Sequence, residues 1–463
     1  MAATFQAPSG QPALAAPKGK WTVGTLTYTT AGLAMLFCWL LWGDFAWSVR
    51  ERSVPPIIQL LFNKFEASDT LIGLLMGSLP PALAMIIGPI ISYKSDRHRG
   101  RWGRRIPFLL IPTPIIVLSM VGLCFSPQLG TWAHRFLGAH SPGSNLSVLL
   151  FLGLFWTLFE FACITANSVF GGLVNDVVPQ PVLGRFFAMF RALSLIAGIG
   201  FNYWMLAKAE MHYVVFFLGI AALYGVGFTL MCLKVKEGEY PPPPTLPPSV
   251  SGGGLQAAGD YFGSCFGKPY YLWFFAMTAM ANLANSPINV FGLFYAKSVA
   301  MNMATYGKCL ALTYVISLVL AYPLGALADR FHPLRVSLVL LGLYILVGLW
   351  GGVYARDASG FGIAFVAHGV ITGAYFTASA AMGQKLLPPS RFAELMSASG
   401  IVTCLCSMAV APCIGFLLDH TAHSYHYAFY AGGMIAIAAV ILNGIMWMKF
   451  SALGGPKRYT APE

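Results

Sequence analysis

The sequence predicts an all-α membrane protein whose twelve transmembrane helices form two pseudo-symmetric halves of six helices. Hydrophobic residues make up 57% of the chain, charged residues only 10%, and the mean hydropathy is +0.69. A soluble chain carries about a quarter charged residues, so this composition indicates a polytopic membrane protein. The dipeptide Asp-Arg at 96–97 recurs at 329–330, about half the chain length later, each time between two apolar runs. Such a repeat indicates two similar multi-span units.

The loop at 95–107 predicts the orientation of these spans. It holds five arginines between the apolar runs 71–93 and 108–125. Arginine is costly in hydrocarbon, and short loops rich in Lys and Arg are retained in the cytoplasm. We therefore expect this loop, and with an even number of spans both termini, to be cytoplasmic. The net charge of +12 comes from such loops, so we expect no nucleic-acid partner.

Apolar runs separated by polar loops give the order of the elements. We predict spans at 28–62, 70–93, 107–126, 147–174, 182–207, 212–233, 269–299, 305–328, 336–354, 361–386, 392–417 and 425–449. We expect the first half at 28–233, the second at 269–449, a disordered cytoplasmic tail at 1–27, a Pro- and Gly-rich linker at 234–268, a cytoplasmic tail at 450–463 and no regular structure at 127–146.

The first span carries charge in its middle, which is expensive unless the side chains face a wet cavity or are paired. Glu51 follows Asp44 by seven residues, so the two carboxylates share one helix face. Arg52 is placed to pair with either carboxylate, and Trp47 could stack on a sugar ring. The alternative is that residues 50–52 form the outer end of an ordinary span, followed by an interfacial segment.

Other spans carry polar side chains on single faces. Glu160 and Asn167 lie seven residues apart in the fourth span, where Glu160 is either a proton carrier or a structural carboxylate. Further candidates are Arg191 in the fifth span, Asn282, Asn285 and Asn289 in the seventh, and His368 and Tyr375 in the tenth. The asparagine amides suit sugar hydroxyls but serve equally as interhelical hydrogen bonds. His368 titrates near neutrality or is a buried core residue.

The two Asp-Arg repeats predict a cytoplasmic latch between the halves. They lie at equivalent helix ends, where charged side chains can pair and cap exposed carbonyls. The latch residues would be Asp96, Arg97, Arg101, Arg104, Arg105, Asp329, Arg330 and Arg335.

The first half resembles the glycoside–pentoside–hexuronide cation symporters, which have the major facilitator fold. The loop Ser-Asp-Arg-His-Arg-Gly-Arg-Trp-Gly-Arg-Arg-Ile-Pro-Phe at 95–108 is similar to that of melibiose permease and of the plant sucrose carriers. Gly-Asp-Phe-Ala at 43–46 and Arg-Phe-Phe-Ala at 185–188 extend the resemblance, and the former implies that Asp44 binds sugar. The second half is similar in topology only.

The chain departs from this family at its sodium site. The family places two aspartates four residues apart on the second span, and here these positions are Ala84 and Gly88. Its aspartate of the fourth span corresponds to Asn167. The plant sucrose carriers, which resemble proton-coupled members, carry an acidic residue early in the fourth span, near Glu160. The resemblance therefore implies coupling to protons rather than sodium.

Together these patterns predict a proton-coupled sugar or glycoside symporter, with Asp44 as solute ligand and Glu160 or Glu51 as proton carrier. Arg52 and His368 are the further coupling candidates. We expect no enzymatic activity, cofactor or metal, and a monomer in a bacterial inner membrane. The alternatives are a uniporter or exporter of another small polar metabolite, or a non-transporting sensor or assembly factor on the same fold.

Overall fold

The computed structural model describes residues 20–240 and 254–462, and nearly all of them are helical. The first half contains six long helices, each rich enough in apolar residues to cross a membrane. They are α1 Thr30–Lys64, α2 Asp69–Arg97, α3 Ile106–His140, α4 Ser144–Val177, α5 Gln180–Met211 and α6 Tyr213–Lys234.

The second half follows a short helix, α7 (Gly254–Phe266). Its remaining elements are α8 Pro269–Leu283, α9 Ser286–Ser298, α10 Met303–Phe331, α11 Pro333–Tyr354, α12 Ala358–Ser379, α13 Met382–Leu386, α14 Phe392–His420, α15 His426–Ala452 and α16 Gly455–Arg458. Eleven helices of the described residues are long and apolar enough to span a bilayer. The predicted seventh span, 269–299, is instead divided into α8 and α9 with a break at residues 284–285.

Three segments differ from the sequence-based expectation. Strands β1 (Lys20–Val23) and β2 (Leu26–Thr29) form an antiparallel hairpin within the expected tail. Residues 127–146 are mostly helical, because α3 continues through Pro127 to His140 and α4 begins at Ser144. The linker contains α7, whereas the rest of the tail at 1–19 and the Pro-rich stretch at 241–253 lie outside the described residues.

The first helix is continuous over 35 residues, from Thr30 to Lys64. The helix therefore continues through residues 50–52, and Val54, Ile57 and Ile58 beyond them are buried in the core. Pro55 and Pro56 lie inside this helix, one turn after the charged residues. Each proline removes an amide hydrogen and so leaves a carbonyl of the preceding turn without its usual helical partner. The charged residues and this weakened turn lie together in the middle of the bundle.

Side chains cap the helices at the end of the bundle that is remote from the arginine-rich loop, which we call the far end. Ser68 Oγ accepts a hydrogen bond from Leu71 N–H, Asn302 Oδ1 from Ala304 N–H and Asp357 Oδ1 from Gly360 N–H. These oxygens satisfy amide hydrogens that have no partner in the first helical turn.

The two halves pack closely at the far end. A Cβ atom on Gly415 of α14 would lie 2.2 Å from the carbonyl oxygen of Asp69 in α2. One on Gly307 of α10 would lie 2.1 Å from the carbonyl oxygen of Asn202 in α5. Only glycine permits such approach of one backbone to another. The cleft between the halves is therefore closed at this end.

The opposite end, which we call the basic end, carries the arginine-rich loop. The carboxylate of Glu237, just beyond α6, accepts hydrogen bonds from the amides of Arg104, Arg105 and Ile106 at 2.7–3.0 Å. These amides begin α3, so a residue of the following segment caps it. Tyr240 O–H donates to the same carboxylate at 2.8 Å, and burial together with Glu237 raises the pKa of Tyr240.

We predict that Glu237→Ala destabilises the first half. The change leaves three amide hydrogens of α3 without an acceptor, and loss of a helix cap typically costs about 1–2 kcal/mol. Thermal unfolding of the purified protein in detergent measures the effect. Glu239→Ala is the matched control, since Glu239 is exposed two residues further on. Equal unfolding temperatures for the two variants would contradict the capping role.

Candidate functional site

Two adjoining cavities lie between the helices at mid-height. One, of about 170 Å³, is lined by α1 and α4, and the other, of about 210 Å³, by α1, α5, α9, α10 and α12. Both are lined by Glu51 and Pro55 of α1, so this turn of the helix separates them. The second cavity has walls from both halves, which makes it the central cavity of the molecule.

Arg50 is buried beside the first cavity, with 3% of its surface exposed. Its guanidinium donates a hydrogen bond to Cys163 Sγ of α4 and lies 4.2 Å from the ring centre of Trp47. Arg50 Nε has no hydrogen-bond partner within the described part of the chain. No carboxylate there comes within ion-pair distance of Arg50, although Glu51 and Glu160 line the same cavity. A buried charge is thus held by aromatic faces and a thiol.

Glu160 and Asn167 both line this first cavity. Glu160 precedes Cys163 by three residues, so its side chain lies on the face of α4 that meets Arg50. Glu160 has no arginine among its sequence neighbours, but Arg50 lines the same cavity. The arginine comes from another helix, which the spacing along α4 cannot show.

Arg52 contacts different partners from those expected. Its guanidinium donates to Ser194 Oγ at 3.3 Å and lies 5.3 Å from the ring centre of Tyr314 in the second half. The expected pairing with Asp44 or Glu51 is not formed. Glu51 is exposed to the cavities that it lines, and no salt bridge involves it within the described residues. Arg50 and Arg52 therefore contact aromatic rings, and Glu51 faces the cavities, rather than forming ion pairs with one another.

Asp44 lies away from both cavities and is fully buried. One carboxylate oxygen accepts a hydrogen bond from Ser48 Oγ at 3.4 Å, and the other has no partner among the described side chains and backbone. The expected face shared with Glu51 is present along the helix. In this conformation, however, only Glu51 reaches the cavities.

A hydrogen-bond chain crosses the second half at the break between α8 and α9. Asn289 Nδ2 donates to Asn285 Oδ1 at 2.7 Å, and Asn289 Oδ1 lies 3.2 Å from His368 Nε2. His368 Nδ1 lies 2.8 Å from the hydroxyl of Tyr344, which also lies 3.1 Å from the carbonyl oxygen of Ala284. The chain thus joins three helices and ends at a carbonyl that the break has freed.

The remaining binding candidates are spread out. Asn282 and Asn285 donate to carbonyl oxygens of their own segment, which favours the structural interpretation for these two amides. Tyr375 is buried beside Asn285 and away from the two cavities. Arg191 donates to Thr377 Oγ1 at 3.2 Å and so connects α5 to α12 across the halves. Asn289 is the asparagine that lines the central cavity.

The residues of the expected latch pair within their own halves. Arg105 contacts Asp96 and Asp176, Arg104 contacts Asp176 at 2.6 Å, and Asp329 contacts Lys385 at 3.3 Å. Although burial opposes its charge, the hydrogen bond and charge of Asp176 hold the pKa of Arg104 above its usual value. Among residues 20–240 and 254–462, no salt bridge joins these side chains across the halves in this conformation.

The other latch arginines stack on aromatic rings of their own half. The guanidinium of Arg97 lies 4.6 Å from the ring centre of Tyr93, that of Arg330 lies 5.3 Å from Phe331, and that of Arg335 lies 4.5 Å from Trp447. Arg101 lines a separate cavity at the basic end.

Several residues of these sites were missed by sequence reasoning. They are Gln59, Cys163, Tyr314 and Tyr344 near the cavities, and Asp69, Thr70, Asp419, His423 and Tyr425 at the far end. Most are single polar residues in apolar helices, or lie at helix ends. The sequence offers one signal, since Ser68-Asp69-Thr70 is typical of a helix start.

The family of the chain follows from its sequence. Residues 63–388 match the model of the family described as MFS/sugar transport protein, which is most of the chain. The chain therefore belongs to this family of transporters within the major facilitator superfamily, and it is an integral membrane protein. This confirms the expected superfamily and fold.

Individual relatives are distant. The sucrose transport protein SUT1 of Oryza sativa subsp. japonica is 26% identical over 87 residues, which are 19% of this chain and 15% of that protein. The matched stretch thus spans about a seventh of that relative's length. The fold is similar to that of nucleoside transporter NupG, with a TM-score of 0.61 at 14% identity, covering 90% of this chain and 98% of the other. It is also similar to the xylose transporter XylE from E. coli, with a TM-score of 0.62 at 12% identity, covering 90% and 95%.

We predict that Tyr344→Phe weakens the packing at the helix break. The change removes the hydroxyl that meets both His368 and the Ala284 carbonyl, and a buried hydrogen bond contributes about 1 kcal/mol. The shift in thermal unfolding in detergent reports the loss. Tyr354→Phe is the control, because Tyr354 is 62% exposed. If both variants unfold like the parent protein, the hydrogen-bond chain does not stabilise the break.

Proposed function

We propose that the protein is a secondary active transporter that couples uptake of a sugar or glycoside to protons by alternating access. The observation that carries this proposal is the pair of mid-bundle cavities, which are lined by charged side chains of the first half and, in the central cavity, also by Asn289 of the second. Such a polar lining suits a protein that binds a polar solute, which an assembly factor would not need. The stretch similar to a sucrose transport protein supports a sugar as solute.

The solute would bind in the central cavity against both halves. Glu51 and Asn289 offer hydrogen-bond acceptors and donors for hydroxyl groups, and the ring of Tyr314 offers a stacking face. Arg52, on the same wall, would donate to ring or glycosidic oxygens. Asp44 would become a ligand only in a conformation that opens the helix packing around it, since it is fully buried here.

The proton would be carried by Glu160, with Arg50 as its switch. Both side chains reach the 170 Å³ cavity, but in this conformation Arg50 donates to Cys163, one helical turn from Glu160. A carboxylate that is buried without an ionic partner is more stable in its protonated form. A guanidinium that approaches it stabilises the charged form and so favours release of the proton. Movement of Arg50 from Cys163 to Glu160 would therefore release the proton. Solute binding beside Glu51 would bias this movement through α1.

The charge distribution supports an orientation of the protein in the membrane. With the basic end in the cytoplasm, closed packing at the far end makes this conformation inward-facing. On this proposal the latch residues pair across the halves in the opposite conformation. We place the protein as a monomer in a bacterial inner membrane, with both termini cytoplasmic.

We predict that Glu160→Gln keeps solute exchange but abolishes accumulation driven by a pH gradient. The amide retains hydrogen bonding but cannot carry a proton. Radiolabelled sugars and glycosides are screened in proteoliposomes with and without the gradient, and exchange is measured separately. Glu66→Gln is the control, because Glu66 is exposed in the loop between α1 and α2. Accumulation by Glu160→Gln driven by the pH gradient would contradict this role and move the proton to another group such as Glu51.

We also predict that uptake is indifferent to sodium. Ala84 and Gly88 provide no side-chain oxygen at the positions where the similar symporters carry aspartates, and a hard cation needs oxygen ligands. Uptake is compared in sodium and in choline buffer at fixed pH and ionic strength. A severalfold decrease in choline would disprove proton-only coupling, whereas equal rates without any pH effect would indicate a uniporter.

A further inference from the structure

Asp419, near the end of α14, caps a helix of the other half. Its Oδ1 accepts a hydrogen bond from Asp69 N–H at 2.8 Å, and its Oδ2 accepts from Thr70 N–H at 2.9 Å. The hydroxyl of Thr70 donates to Oδ2 at 2.5 Å. A negative carboxylate at the first amides of a helix is stabilised both by hydrogen bonds and by the helix dipole.

A second carboxylate makes the reverse connection. Asp69, the first residue of α2, is 1% exposed, and its oxygens accept from Tyr425 O–H at 2.9 Å and from His423 Nδ1 at 2.6 Å. Both donors follow α14 in the second half. Each half therefore supplies a carboxylate that is satisfied by the other half, and separation of the halves would leave the two carboxylates without these partners.

The surrounding packing makes the contact rigid. Gly415, one turn before Asp419, lies against the backbone of Asp69 and leaves no space for a side chain. On the other side of the cleft, Lys297 of α9 forms a salt bridge with Glu210 of α5, again between halves. All four oxygens of the two aspartates already accept hydrogen bonds, so the cluster is occupied by its own donors.

We propose that Asp419 and Asp69, with Thr70, His423 and Tyr425, form a far-end lock that holds the two halves together and must break before the cleft opens at that end. The lock does not depend on which solute or ion is transported. Charge-assisted hydrogen bonds to backbone amides are among the stronger polar contacts, so their loss should shift the population towards the open far end.

Hydrogen–deuterium exchange of the full-length protein in nanodiscs tests the lock against simple helix capping. In Asp419→Ala, exchange should rise roughly tenfold in peptides that cover the start of α2 and also at the remote contact of α5 with α10, near residues 202–206 and 303–307. The matched control is Asp357→Ala, which removes an aspartate cap at the same end of the bundle within one half. There, faster exchange should be confined to the start of α12.

The pattern of exchange distinguishes a lock between the halves from an ordinary helix cap. Faster exchange in Asp419→Ala at residues 69–72 alone would make Asp419 an ordinary cap and would overturn the lock. If Asp419→Ala does not fold, Tyr425→Phe removes a single donor to Asp69 and should give the same two-site pattern at smaller amplitude. An unchanged pattern in Tyr425→Phe would likewise count against the lock. Neither result bears on solute or proton coupling, which the transport assays address separately.

Discussion

The cost of burying charge in the middle of a membrane bundle governs this structure. Residues 50–52 place two guanidinium groups and a carboxylate on three consecutive positions of α1, which therefore point in different directions. Arg50 is sequestered by aromatic rings and a thiol, Glu51 faces the cavities, and Arg52 reaches Ser194 and Tyr314. The helices that pack against residues 50–52 must therefore provide either aromatic rings or solvent-accessible cavities for these charges. The two cavities lie beside this turn of α1.

The same requirement applies to the backbone in the second half. A helix broken at residues 284–285 leaves polar groups unsatisfied, and hydrocarbon offers no replacement partner. Tyr344 supplies one from α11, its hydroxyl contacts His368, and His368 in turn contacts Asn289. His368 is thereby a structural member of this chain of hydrogen bonds and also lies next to an amide that lines the central cavity. One network both maintains the break and forms part of the cavity wall.

Sequence periodicity predicted the helices well because each span is a local property of apolar composition and length. It also identified the charged segment of α1 and the polar face of α4. It could not predict contacts between helices, such as the cavity that Arg50 and Glu160 line together or the hydrogen bonds that Asp419 accepts from α2. The break at 284–285 and the helical structure across 127–146 depend on tertiary packing, which overrides the turn-forming tendency of Pro127 and its polar neighbours.

The two ends of the bundle are built on opposite principles. At the basic end, Asp176 and Glu237 bind the arginine loop within the first half, and Lys385 binds Asp329 within the second, so these charges stiffen each half separately. At the far end, Asp69 and Asp419 are satisfied across the halves. Breaking the few hydrogen bonds between the halves costs less than repacking the helix core of either half. A rigid-body movement of the halves would therefore be concentrated at the contacts between them.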